Sequence, residues 1–176
     1  AQFEMIHPFL DGNGRMGRLL ITLFLASKKI LHTPCLYISA YLQRHRGTYY
    51  ASLAKISKNN DWDTWISFFL RAVVEHSKAN ASLLMKMTDL YEISKTQFAE
   101  ATNSSLAMEL LDCLFAQPIF TIPNLINQTK VKASKATLLL AVQKLEKAGL
   151  VTKISEGRGR RPTVWKFGAL VDLIQD

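Results

Sequence analysis

The chain has 176 residues, of which 48% are hydrophobic and 20% charged, and it carries a formal net charge of +8. That balance excludes a disordered chain and allows one or two compact domains. The longest apolar run, Leu19 to Ala26, is too short to span a bilayer, no secretory leader is visible, and Cys35 and Cys113 stand alone without metal-type or disulfide-type spacing, so a reducing, cytoplasmic setting and no membrane partner are expected.

In chain order the pattern is mostly helical. Phe3 and Ile6 already sit at helical spacing with no cap before them, which predicts a helix leading into His7 and a chain that is a fragment of a longer protein. Leu19, Leu20, Leu23, Phe24 and Ser27 recur at helical spacing after a glycine-rich turn. Tyr37 to Tyr41, after Pro34, opens another helix. Asp61 or Asp63 is suited to cap a helix with Trp65, Phe69 and Val73 on its inner face. Leu84, Met87, Leu90, Tyr91 and Phe98 predict a longer connecting helix.

Thr102-Asn103-Ser104-Ser105 is a polar break, and it divides the chain into an expected domain over 1–101 and a second over 106–176. Beyond it, Leu106 to Phe115 reads as a helix, Ile122 to Thr129 as a short one opened by Thr121 and Pro123, and Ser134 to Ala148 as a third, closed by Gly149. Two β-type runs, Leu150 to Ile154 and Thr163 to Phe167, flank a basic loop. Three helices and then a hairpin is the order of a winged helix-turn-helix.

The stretch from His7 to Arg18 holds the chemistry. Gly12 and Gly14 let the backbone turn sharply and approach a ligand, and successive N–H groups there, with the start of the next helix, suit an anion. Arg15 and Arg18 are guanidinium forks matched to phosphate oxygens. Asp11 is a hard oxygen donor of the kind that holds Mg²⁺ together with substrate phosphates. His7 is a candidate general base. Singly, each residue is explained as a turn or as a solvated charge. A base, a carboxylate, an anion-binding turn and two arginines within twelve residues are not.

This stretch resembles the Fic-family signature His-Pro-Phe-x-Asp-Gly-Asn-Gly-Arg-x-x-Arg, with every fixed position matched. The likeness continues through Leu36-Tyr37-Ile38-Ser39, Tyr49-Tyr50 and Trp62 to Leu70, and then through the winged helix that many bacterial members carry. The resemblance implies a mainly α chain, the C-terminal part of a Fic helical core followed by a winged helix. It implies transfer of AMP from ATP to a Ser, Thr or Tyr hydroxyl of a target protein, with release of pyrophosphate and with Mg²⁺ required. His7 matches the general base and Asp11 the Mg²⁺ ligand. Gly12, Asn13 and Gly14 match the anion-binding turn, Arg15 and Arg18 the phosphate-binding arginines, with Gly17 between them in the nucleotide-binding stretch. Tyr49 matches a position against the nucleoside, and Phe9 is expected to anchor the loop in the core. Gly14 separates the chain from the phosphorylating branch, which departs from the pattern there. A β-hairpin flap and an inhibitory helix are expected upstream.

Between Lys130 and Lys166 ten Lys or Arg face only Glu146 and Glu156. This is the electrostatic footprint of nucleic-acid binding, with Lys135, Arg158, Arg160 and Arg161 as candidate contacts. Winged helices also dock proteins and pair with a second copy, so DNA, a protein partner and a homodimer all stay open. The rival to the enzymatic reading is a regulator that binds DNA through this module and uses the first part as a scaffold.

Overall fold

A computed structural model describes residues 2–31, 36, 38–128, 133–159 and 161–175. They form a mainly helical chain organised as two compact units, Ala1–Ala81 and Ser82–Asp176.

In the first unit, α1 (Gln2–Ile6) leads through the loop at 7–12 into α2 (Asn13–Ser27), followed by α3 (Ser39–Arg44), α4 (Arg46–Asn59) and the opening turns of α5 (Trp62–Thr102). Its core is small: Leu36, Ile38, Tyr41, Leu42, Phe68 and Ala72 are buried, and Ile21, Leu25, Tyr49, Trp65, Phe69 and Val73 pack against them. The aromatic rings interlock, with Tyr41–Phe68 centroids 6.0 Å apart, Tyr49–Trp65 5.7 Å apart and Trp65 stacked on Phe69 at 6.2 Å. Thr22 is buried because its hydroxyl donates to the Leu36 carbonyl. Asn60, at φ 55°, ends α4 in the left-handed conformation that an Asn tolerates. Asp61 then opens α5, accepting from Thr64 N at 3.0 Å and from the Thr64 hydroxyl at 2.7 Å. Of the two candidate caps, Asp61 is the one that caps.

The sequence pattern predicts two helices where α5 is one, 41 residues long. No Gly or Pro interrupts it. It begins in the first unit and ends in the second, so the compact units divide within the helix, while the polar break at 103–105 ends it. Asn103 at φ 45° stops the helix. Helix α4 was not foreseen, since the apolar residues of 46–59 are sparse and its buried residues are Ser52 and Ile56.

In the second unit the rest of α5 is joined by α6 (Ala107–Ala116), β1 (Ile119–Phe120), α7 (Ile122–Gln128), α8 (Lys135–Lys147), β2 (Thr152–Ser155), β3 (Val164–Lys166) and α9 (Gly168–Gln175). The strands form an antiparallel sheet in the order β1-β3-β2, with Phe120 and Lys153 both opposite Trp165. Ser134 caps α8 by accepting from Thr137 N at 3.1 Å, and Gly149 at φ 75° ends it. Leu138, Ala141, Val142 and Leu145 line its inner face. They close on Phe98, Leu110, Leu114, Leu125, Phe167 and Leu170 in one core. Lys144 donates to the carbonyl of Thr102 at 2.8 Å, satisfying the end of α5. Short β1 and terminal α9 carry too few residues to announce themselves by periodicity. The expected helix over Ile122–Thr129 and the basic run from Lys130 to Lys132 reach partly outside the described residues, as do Tyr37 and Arg160.

Candidate active site

The loop between α1 and α2 is held by backbone and amide contacts. Asn13, 2% exposed, closes it: its side-chain oxygen accepts from Phe9 N at 2.9 Å and its Nδ2 donates to Phe9 O at 2.6 Å. The Phe9 ring itself is 47% exposed. The expectation that Phe9 anchors the loop by burial is therefore corrected: its peptide groups are clamped by Asn13, and its ring only approaches Phe3, with centroids 6.3 Å apart.

Gly12, at φ 84°, makes the turn into α2 in the left-handed region where a Cβ is strained. It brings no side-chain cap. The first helical bond runs from Met16 N to Gly12 O at 3.0 Å, so the N–H groups of Asn13, Gly14 and Arg15 lie outside the ladder at the positive end of a 15-residue helix. Asp11 accepts from Gly12 N at 2.6 Å and pairs with Arg15 at 3.2 Å, both side chains open to solvent. An exposed pair of this kind is held weakly, so each partner is available to another charge.

His7 is exposed and ends α1 at φ 50°, a conformation that a non-glycine residue adopts at a cost. Its N–H donates to Phe3 O at 3.1 Å. Nδ1 lies 3.4 Å from Glu4 O, a long contact that requires a proton on Nδ1 and that leaves Nε2 directed to no partner among the described residues.

Arg18 joins three adjoining clefts. With Gly17, Tyr49, Trp65 and Phe69 it lines a mainly aromatic one of about 190 Å³. With Arg15 and Ser39 it lines a second, and with Tyr49 and Arg46 a third. His7 and Asp11 line none of these and stay on the open loop. Burial, and then the Glu4 charge, push the Tyr49 hydroxyl above the usual phenol range, against a smaller opposing effect of Arg18. Tyr49 is therefore a neutral donor. It packs against the core of the first unit and lines the aromatic cleft.

Sequence reasoning did not find Glu4. Its carboxylate lies against α2, where a Cβ on Gly17 would stand 2.5 Å from Oε1 and one on Gly14 3.8 Å away. Glu4 and Gly17 are neighbours, a pairing no local pattern reveals. In the second unit Lys135 and Arg161 line one cleft with Gly157 and Trp165. Arg158 and Arg161 exchange backbone hydrogen bonds of 3.1 Å across the hairpin end. Arg160 lies outside the described residues.

Among the described residues no helix is long and apolar enough to cross a membrane, and no group of three or more His, Cys, Asp or Glu is placed to hold a metal ion. Residues 1–25, which comprise α1, the clamped loop and most of α2, match the model of the Fic/DOC family, and this match supports membership of the chain in that family.

Proposed function

We propose that the chain is a protein adenylyltransferase, which moves AMP from ATP to a Ser, Thr or Tyr hydroxyl of a target protein. The observation that carries this reading is the loop at 7–18: an exposed imidazole, an exposed carboxylate, an uncapped helix start and two arginines on the first turns of α2. In the reaction the free Nε2 of His7 takes the hydroxyl proton as the oxygen bonds to the α-phosphorus. The bond from that phosphorus to the bridging oxygen breaks, and pyrophosphate leaves with the electron pair. The N–H groups of Asn13, Gly14 and Arg15 and the guanidinium groups of Arg15 and Arg18 hold the phosphates.

A single hard carboxylate on an open loop fits Mg²⁺, which binds through one or two carboxylates and substrate phosphates and needs no protein cage. Asp11 would hold it, and the ion when bound neutralises phosphate charge. Arg15, freed from Asp11, would then turn to the phosphates. Gly14 favours AMP transfer over phosphate transfer, because the chain keeps the glycine at which the phosphorylating branch departs from the signature it resembles. The test is label transfer from α-labelled ATP into lysate proteins. His7→Ala should lower it by ~10²- to 10⁴-fold and leave Mg·ATP binding intact. Near-normal labelling would sink the assignment.

A second reading rests on the basic cleft of Lys135 and Arg161. We propose that residues 106–176 are a winged helix that contacts nucleic acid through this cleft and the hairpin end. Replacing Arg158, Arg160 and Arg161 with Ala should reduce the slope of log K against log salt by roughly 0.9 per lost phosphate contact. If the unaltered chain has no salt-sensitive DNA affinity, the module serves protein docking instead.

A further inference from the structure

We propose that Arg46 is a nucleotide-contact residue, the third guanidinium of a row with Arg15 and Arg18 that grips the polyphosphate of a nucleoside triphosphate. The inference rests on the adenylyltransferase reading and adds to it a residue outside the glycine-rich loop.

The cleft on which Arg46 opens measures about 280 Å³ and is lined also by Arg18, Ser39, Gln43, Tyr49 and Tyr50. Its polar groups are two guanidinium groups, an amide and hydroxyls, and no carboxylate lines it. It shares Arg18 and Ser39 with the cleft that holds Arg15. The two clefts therefore adjoin at Arg18 and Ser39, and each is lined by one further arginine, Arg15 or Arg46. Arg15 is paired with Asp11, whereas neither Arg18 nor Arg46 is ion-paired with any described residue.

Arg46 stands where two helices meet, since His45 both ends α3 and precedes α4. It is the first residue of α4, and no acidic residue stands in that first turn. The guanidinium lies 5.5 Å above the Tyr50 ring, which restricts where it points. Three guanidinium groups in a row exceed what one phosphate needs and suit the extended charge of a triphosphate.

Titration calorimetry on this chain with three probes tests the proposal: Mg·ATP, AMP and inorganic tripolyphosphate. Arg46→Ala should weaken Mg·ATP and tripolyphosphate by about ten- to a hundredfold, the loss of a hydrogen bond to a charged group, and change AMP by less than about twofold. Arg46→Lys, which keeps the charge without the fork, should fall between. Circular dichroism checks that both variants remain folded. Equal losses for AMP and Mg·ATP would overturn the proposal and leave Arg46 a packing partner of Tyr50. Unchanged affinity for Mg·ATP and tripolyphosphate would overturn it too, and would leave the cleft to acidic side chains of a target. If the unaltered chain binds neither Mg·ATP nor tripolyphosphate, the adenylyltransferase reading falls first and the role of Arg46 with it.

Discussion

In residues 82–176, Leu110, Leu114, Leu125, Leu138, Leu145 and Leu170 have no exposed surface at all. In residues 1–81, α2 keeps Met16, Leu19, Leu20, Leu23 and Phe24 between 39% and 59% exposed, and turns Ile21, Thr22 and Leu25 to the core instead. The two units are of similar length but bury apolar surface very differently. Since that burial supplies most of folding stability, the second unit is expected to be the steadier of the two. The candidate chemistry sits in the other. Sites that bind and release ligands are drawn from regions that open at low cost, and here the glycine-rich loop depends on one buried amide, Asn13, rather than on a packed side chain.

The largest effect that bears on this contrast belongs to the second core. Leu138→Ala should destabilise residues 82–176 by about 2–5 kcal/mol. Leu23→Ala, at a 47% exposed position, should change stability by no more than about 0.5 kcal/mol. Denaturant unfolding of both variants gives the comparison. Similar losses would mean that the exposed face of α2 is covered in solution and that the contrast is false.

A smaller effect is expected at the loop. Asn13→Ala leaves both Phe9 peptide groups without their partner and should cost about 1–3 kcal/mol, seen as faster amide exchange of Phe9. Phe9→Ala should leave that exchange nearly unchanged, because the backbone is what Asn13 holds. If Phe9→Ala opens the loop as much as Asn13→Ala, the ring does anchor it.

The smallest effect separates the two ends of α5. The Thr64 hydroxyl first, and then the Thr64 N–H, hold the Asp61 carboxyl below its usual range. A depressed folded value means that the cap contributes fully above the unfolded value and is lost as pH falls through the folded one. Acidification should therefore fray α5 at its start, while the end at Thr102, held by Lys144, stays intact. Amide shifts of Thr64 and Asn103 followed by NMR across the acid range test this. Asp61→Asn, which keeps a cap without a titrating group, should abolish the change at Thr64. Fraying of both ends together would show that the two units respond as one.

What the sequence determined by itself was local. The helices α2, α6, α7 and α8 and the hairpin β2–β3 follow from spacing, caps and glycines that act within a few residues: Ser134 reaches Thr137, Gly149 ends α8, and Gly12 turns into α2. The residues of the candidate site were legible for the same reason, since most of them fall within one loop and the helix after it. Tertiary structure decided which side of each helix is inside. The periodic residues of α2 announce a helix, yet Leu19 and Leu23 face out and Thr22 faces in, because the Leu36 carbonyl that Thr22 satisfies lies fourteen residues away. It likewise decided that Glu4 stands against Gly17 and that Arg46 shares a cleft with Arg18. Those juxtapositions depend on how helices pack across the unit, and contacts between residues far apart in the chain leave no period or spacing to read.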